Sequence, residues 1–317
     1  MTCASHDFDD PGVPGAHLLD IEHDGLPGSI GIWLLEEPEP TLVDCGPSTS
    51  LDALEAGLEA VGIPLPDLRH LLLTHVHLDH AGAAGHLVER CPRLTVHLHE
   101  DGAPHLVEPE KLVASTRRTF GEAHDRLWGD VLPIPKDRIR VWAPGVSSPL
   151  PGIRPIPTPG HIAHHLAWEA ERVGLLFAGD SMGILLHPDA PTHPATPPPA
   201  VDLPAWRRTL TETLAPVDVD GFVATHFGLH RDLHSRRLEL LQALEKLALR
   251  VHRAMSEGPE AEEADAEAFQ RESVSAVAGY LVKGRARQYF TNFSARKDWE
   301  GMRFHLARNP DARPEPS

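Results

Sequence analysis

Short apolar runs, each ending in a histidine or an aspartate, set the pattern of this chain. Leu71-Leu72-Leu73 runs into Thr74-His75, and Leu175-Leu176-Phe177-Ala178 ends in Gly179-Asp180. Gly221 to Ala224 ends in Thr225-His226, and Thr41-Leu42-Val43 ends in Asp44-Cys45-Gly46. Runs of this length, bounded by turn residues, predict buried strands. The stretch before Thr158-Pro159-Gly160-His161 is Pro-rich and extended, and Pro and Gly aim His161 off a turn. Leu94 to His99 predicts a further strand. Leu51, Leu54, Leu58 and Val61 recur at helical spacing behind Pro47-Ser48-Thr49, which predicts a helix over 51–62 that covers the sheet.

The second half changes character. Seven prolines between Pro188 and Pro204 predict an extended, semi-rigid loop over His187–Pro204 that starts beside Asp180. Leu203 to Leu214 reads as a helix. Leu229 to Met255 is helical by pattern, through Leu233, Leu238, Leu241, Leu244, Leu247 and Val251. A break is expected over Ser256–Ala264, then one or two helices over Ala266–Tyr289. Met302, Phe304 and Leu306 alternate, which predicts a short extended segment, and 309–317 reads as frayed. The domain reading is a catalytic unit over 1–230 and a helical C-terminal extension over 231–317.

The chemistry is densest in Thr74-His-Val-His-Leu-Asp-His-Ala-Gly82, where His75, His77, Asp79 and His80 fall within six residues. Imidazole nitrogen and carboxylate oxygen are the usual ligands of catalytic zinc and related metals. Four such groups at one strand end fit two adjacent ions better than one. The competing reading, a surface cluster in a chain with 22 histidines, weakens because the other strand tips supply further ligands. Polar groups at several strand ends of one sheet rim are how a rigid core carries a site.

With its motifs in order (Asp44, His75-x-His77-x-Asp79-His80, His161, Asp180 and His226), the chain resembles the metallo-β-lactamase-fold hydrolases over roughly residues 15 to 230. The resemblance implies an α/β fold, a four-layer αβ/βα sandwich with a dinuclear metal site on its edge, followed here by the helical extension. It implies His75, His77 and His161 on a first metal, Asp79, His80 and His226 on a second, and Asp180 between them. Asp44 and His165 would stand behind the ligands. A carboxylate at Asp180, where antibiotic-hydrolysing members commonly have a thiolate, resembles the glyoxalase II, lactonase and phosphodiesterase branches. Two metals about 3.5–4 Å apart could share a hydroxide that attacks an electrophilic carbon. Asp79 and Asp180 are the candidate catalytic carboxylates. Zinc is the first expectation for the two divalent ions, with iron or manganese as alternatives.

This predicts a dinuclear metal-dependent hydrolase of a small ester, thioester or lactone. The alternatives are a phosphodiesterase or nuclease, and an iron-dependent redox member such as a persulfide dioxygenase. The filled Asp79 and His226 positions favour the hydrolases over a mononuclear iron enzyme. A net charge of −17 disfavours nucleic acid as partner. Part of that charge is the acidic run Glu257–Glu272, read as a solvated loop and helix face. No long apolar run predicts a membrane span, and Met1–Asp10 lacks a signal-peptide pattern. Three scattered cysteines (Cys3, Cys45, Cys91) argue against a disulfide framework. A cytoplasmic location follows as an inference.

Residues 99–142 read as an insertion near the metal rim. Its His105 and Arg118, and His187 of the Pro-rich loop, are candidate substrate-pocket groups. Arg117, Arg118 and Arg126 are a candidate basic patch. In the extension, Arg285, Arg287, Tyr289, Asn292 and Arg296 are candidates for a polar pocket or a homodimer contact, with a packed helical cap as the preferred reading.

Overall fold

The computed structural model describes residues 12–143 and 150–310. The chain opens with β1 (Ala16–Asp20), β2 (Gly31–Leu35) and β3 (Thr41–Val43), then α1 (Leu51–Ala60), β4 (His70–Leu72), α2 (Leu78–Ala81), α3 (Ala84–Arg90) and β5 (Thr95–His99). Three short helices follow, α4 (Ala103–Val107), α5 (Glu110–Phe120) and α6 (His124–Trp128), before β6 (Ile139–Trp142). The second half contains β7 (Ile153–Pro157), β8 (Leu166–Ala170), β9 (Leu175–Phe177), α7 (Leu203–Arg208), β10 (Gly221–Ala224) and β11 (Gly228–His230). It ends in α8 (Leu233–Glu257), α9 (Pro259–Ala278), α10 (Arg285–Asn292) and α11 (Ala295–Arg308).

Two mixed sheets result, β1-β2-β3-β4-β5-β6 and β11-β10-β9-β8-β7. β3, β4, β5 and β6 run parallel, and β9 runs parallel to β10. Large side chains fill the space between the sheets, among them Trp33, Trp142, Trp168 and Phe177. A second core lies behind the first sheet, where Leu54 and Leu58 of α1 and Leu87 of α3 cover Leu71 and Val96. A third lies behind the other sheet, where α7, α8 and α11 cover Leu176 and Phe222. The layering is therefore helix, sheet, sheet, helix. The central strands are buried on both faces, which is why they read as unbroken apolar runs.

Several expectations need correction. The insertion 99–142 is shorter than expected, because β6 completes the sheet beside β5. Leu229 and His230 are not helical: they pair with β10 in β11, and the Asp232 carboxylate, accepting from the Ser235 amide at 2.9 Å, starts α8 only at Leu233. The break expected over 256–264 reduces to Gly258, at φ 105°, with Pro259 opening α9. Met302, Phe304 and Leu306 lie in α11. Trp299, Met302 and Leu306 are buried at i, i+3 and i+7, a helical stripe that outweighs the alternation. The acidic run is more than a solvated face: Glu263 pairs with Arg296 at 2.7 Å, Asp265 with Arg250 at 2.8 Å, and Glu262 with Arg303. Cys45 and Cys91 are buried and free, whereas Cys3 and residues 311–317 of the expected frayed end lie outside the described residues. Among the described residues no helix is long and apolar enough to cross a membrane.

Candidate metal centre

The strand ends bring the charged and imidazole side chains to one rim. Beyond β4 the chain passes through His75 and His77 into α2, which carries Asp79 and His80. Gly160 places His161 after β7; it sits at φ 152°, and a Cβ there would overlap the Trp206 ring. Asp180 lies in the turn after β9, and His226 follows β10. Asp44 follows β3 at φ 57°, an uncommon conformation for any residue but glycine.

The seven expected side chains meet there. Their ligand atoms form three groups, each within 4.8 Å: His75, His77 and His161; His75, His80 and Asp180; Asp79, His80 and His226. His77 Nδ1 lies 2.9 Å from both His75 Nε2 and His161 Nε2. Asp180 reaches both sides, with Oδ2 3.5 Å from His161 Nε2 and Oδ1 3.4 Å from His80 Nε2 and 3.9 Å from His226 Nε2. Asp79 Oδ2 lies 3.3 Å from His226 Nε2.

Burial and the neighbouring imidazoles hold His75 well below its ordinary range; burial and His161 hold His77 down to about 3. Both are therefore neutral, with lone pairs free to bind a cation. Burial alone would raise the Asp79 and Asp180 carboxyls, but His80, with His226 or His161, outweighs it and keeps them ionised well below the usual range. Burial alone would likewise lower His80, yet Asp180, Asp44 and Asp79 hold it well above its usual range. His80 Nε2 and Asp180 Oδ1 are buried without a hydrogen-bond partner. A buried carboxylate (Asp180) and a partly buried one (Asp79) facing imidazoles, with orphaned N and O atoms of His80 and Asp180 aimed at each other, fit divalent metal ions and leave a costly polar cluster without them.

The outer nitrogens are oriented from behind. His80 Nδ1 lies 2.7 Å from Asp44 Oδ2, His161 Nδ1 2.7 Å from the Ala195 carbonyl, and His226 Nδ1 2.8 Å from the Ser29 carbonyl. These oxygens can only accept, so each Nδ1–H donates and each Nε2 is the ring atom turned to the cluster, free to bind a cation once it gives up any proton. Asp44 also accepts from the Thr74 amide at 2.8 Å and from the hydroxyls of Thr74 and Thr225. His165 stands outside the donor groups: its Nε2 accepts from the Asp180 amide at 3.2 Å, and its ring stacks on His75.

A cavity of about 420 Å³ opens above the cluster, with His77, Asp79, His161, Asp180 and His226 in its floor. His105 and Arg118 line it as expected. His187 does not: it lies beside Tyr280, outside the cavity lining. The basic patch also shrinks, because Arg117 pairs with Asp125 and Arg126 with Asp24. Tyr289 and Asn292 are buried and Arg296 is ion-paired, which supports the helical cap. Pro197–Pro199 of the Pro-rich loop line the cavity, and so do Lys111 and Phe293, which no sequence signal marks. His23 was missed too; it is fully buried, stacked on Trp128, with both ring nitrogens unpartnered. No local motif marks any of these; they reach the site only through packing.

The family model described as Metallo-beta-lactamase superfamily matches residues 27–249. Over 151 residues the chain is 32% identical to hydroxyacylglutathione hydrolases of Xylella fastidiosa strains, covering 48% of this chain and 45% of theirs. The chain thus spans about half the length of these curated relatives. It is 40% identical over 57 residues to a probable metallo-hydrolase of Bacillus subtilis (strain 168), 17% of this chain and 18% of that one. A metallo-beta-lactamase family protein of Thermus thermophilus superposes with a TM-score of 0.67 at 25% identity, covering 94% of each chain. An archaeal superfamily protein of Sulfolobus tokodaii superposes with a TM-score of 0.61 at 22% identity, covering 73% of this chain and 86% of that one.

Proposed function

The chain belongs to the metallo-beta-lactamase superfamily, whose members are mostly metal-dependent hydrolases, and on that premise we propose that it is a dinuclear hydrolase of a small ester, thioester or lactone. The observation that carries the reading is the position of Asp180, within 3.5 Å of His161 on one side and His80 on the other. His75, His77 and His161 would hold one ion, Asp79, His80 and His226 the other, and Asp180 would serve both. Zinc is the first choice, with iron or manganese also suited to the donor set. When bound, such ions supply Lewis acidity and a nucleophile drawn from water at neutral pH.

The remaining work falls to the chain. Asp44 and the carbonyls of Ala195 and Ser29 keep the imidazoles aimed. Asp79 and Asp180 are the acceptors available to a proton at the reacting centre. Leu78, Ile162, Trp128 and Phe293 give the cavity apolar walls that exclude water from a bound acyl group. The partial likeness to hydroxyacylglutathione hydrolases supports a thioester among the carbonyl substrates.

Elemental analysis of the purified chain, together with a panel of thioesters, esters, lactones and phosphodiesters, tests the reading. Two metal equivalents and metal-dependent cleavage of a carbonyl substrate are expected. A single equivalent at saturation, or cleavage confined to phosphodiesters, would replace it.

A further inference from the structure

One wall of the cavity is α5, and this helix presents positive charge to it. Lys111, Ser115 and Arg118 stand at i, i+4 and i+7 on one face, and all three line the cavity. None of the residues of α5 is buried, so this face is not core.

The charges around that face are otherwise spoken for. Arg117 pairs with Asp125 at 2.7 Å and Lys297 with Glu300 at 2.8 Å. Among the carboxylates lining the cavity, Asp79 and Asp180 belong to the donor cluster. Asp298 accepts from the Thr196 amide at 2.7 Å and faces His193 Nε2 at 2.9 Å. Lys111 and Arg118 have no carboxylate in salt-bridge reach among the described residues. They stand so in a chain with 46 acidic and 29 basic residues, where partners are plentiful. Much of the remaining lining is apolar, including Leu78, Phe120, Ile162, Ile184 and Phe293.

Building on the hydrolase reading above, we propose that the substrate carries an anionic oxygen group, a carboxylate or a phosphate, at the end remote from the scissile bond. Arg118 and Lys111 hold that group, and its apolar body fills the space between α5 and the metal centre. The guanidinium offers a planar fork matched to such oxygens, and the ammonium adds a point charge. A cavity near 420 Å³ suits a ligand of this size. Both cations are exposed, so their attraction acts largely on capture and weakens with salt.

The test compares thioesters of one acyl length that end in a carboxylate, a phosphate or a neutral hydroxyl, using the full metal-loaded chain. The wild type should favour the anionic homologues in kcat/KM by about tenfold, with the ratio falling as salt rises. The ratio should collapse towards one in Arg118→Gln and in the Lys111→Gln/Arg118→Gln double variant, but persist in Arg117→Gln. Whichever anionic homologue is faster identifies the headgroup. A wild-type ratio near one, or a ratio unchanged in the double variant, overturns the inference. If no thioester is cleaved, the thioester form of the hydrolase reading fails instead, and calorimetry with the amide analogues of the same compounds decides. Tighter binding of the anionic analogues by the wild type but not by the double variant supports the inference, and equal binding overturns it.

Discussion

Asp44 Oδ2 accepts a hydrogen bond from His80 Nδ1–H at 2.7 Å, with both side chains shut off from solvent. That bond pins the imidazole with Nε2 towards Asp180, although Asp44 itself lies outside the donor groups. Replacing Asp44 with Ala should leave all seven ligand side chains in place yet weaken metal affinity about 10–100-fold. A competition titration against a chromophoric chelator reads this directly. Wild-type affinity in the variant would mean that the cluster aims itself.

Asp180→Ala should weaken both metals together and lower turnover by about a thousandfold or more. His226→Ala should empty mainly the position shared with Asp79 and His80. Metal content per chain, measured after dialysis, separates the two outcomes. Loss of a single equivalent in Asp180→Ala would place that carboxylate on one ion only.

Removing the metals should also lower thermal stability, because ions that bind only the folded chain shift its unfolding equilibrium. Asp79 and Asp180 would then be left to the surrounding imidazoles alone. Melting curves with and without a chelator, and after zinc is restored, check this. An unchanged midpoint would show that the cluster contributes no metal-linked stability.

Gly301 of α11 lies against the Pro-rich loop so closely that a Cβ would enter the Thr196 carbonyl oxygen and sit 2.7 Å from Pro197 backbone. Backbone cannot swing aside as a side chain can. Gly301→Ala should therefore cost about 1–3 kcal/mol, read as a lowered melting temperature. Because Pro197–Pro199 line the cavity, KM should rise as well. An unshifted melting point would contradict this packing of helix on loop.

Acid should destabilise the fold through histidines outside the metal cluster. Burial holds His230 down to about 4, and burial with the neighbouring His70 holds His97 down to about 3. In the unfolded chain both titrate near 6.5. As pH falls below that value the unfolded chain takes up protons that the native state refuses. Stability should therefore drain from pH 6.5 down to about 4, by about 1.4 kcal/mol per pH unit for each such group. Urea midpoints at pH 7.5, 6 and 5 measure the slope, and His230→Phe, beside Phe222, should flatten it.

The candidate cluster was legible because His75, Asp180 and His226 follow strands buried on both faces, where an unbroken apolar run announces itself, while His161 was marked by the Thr158-Pro159-Gly160 turn after the half-exposed β7. What escaped the reading depended on tertiary partners. The alternation of Met302, Phe304 and Leu306 suggested a strand, but Trp299 and His305 complete a buried helical stripe that three positions alone do not reveal. The acidic run Glu257–Glu272 read as a solvated loop and helix face, and the arginines that pair with it lie 15 to 41 residues away. His187 and Lys111 are the complementary errors. Both stand in segments flanking the site, and only the path of the loop and the rotation of α5 decide which one faces the cavity.

Leu112 and Phe120 anchor α5 on the core, whereas Lys111, Ser115, Arg118 and Thr119 contribute cavity surface without being buried, so these four can vary at little thermodynamic risk. The ligand-bearing strand ends have no such freedom, hemmed in by two hydrophobic cores. On the hydrolase reading, catalytic apparatus and substrate choice are therefore separately adjustable. A library confined to positions 111, 115, 118 and 119 would sample new acyl preferences on an intact metal centre, making this helix the natural starting point for directed evolution of the enzyme.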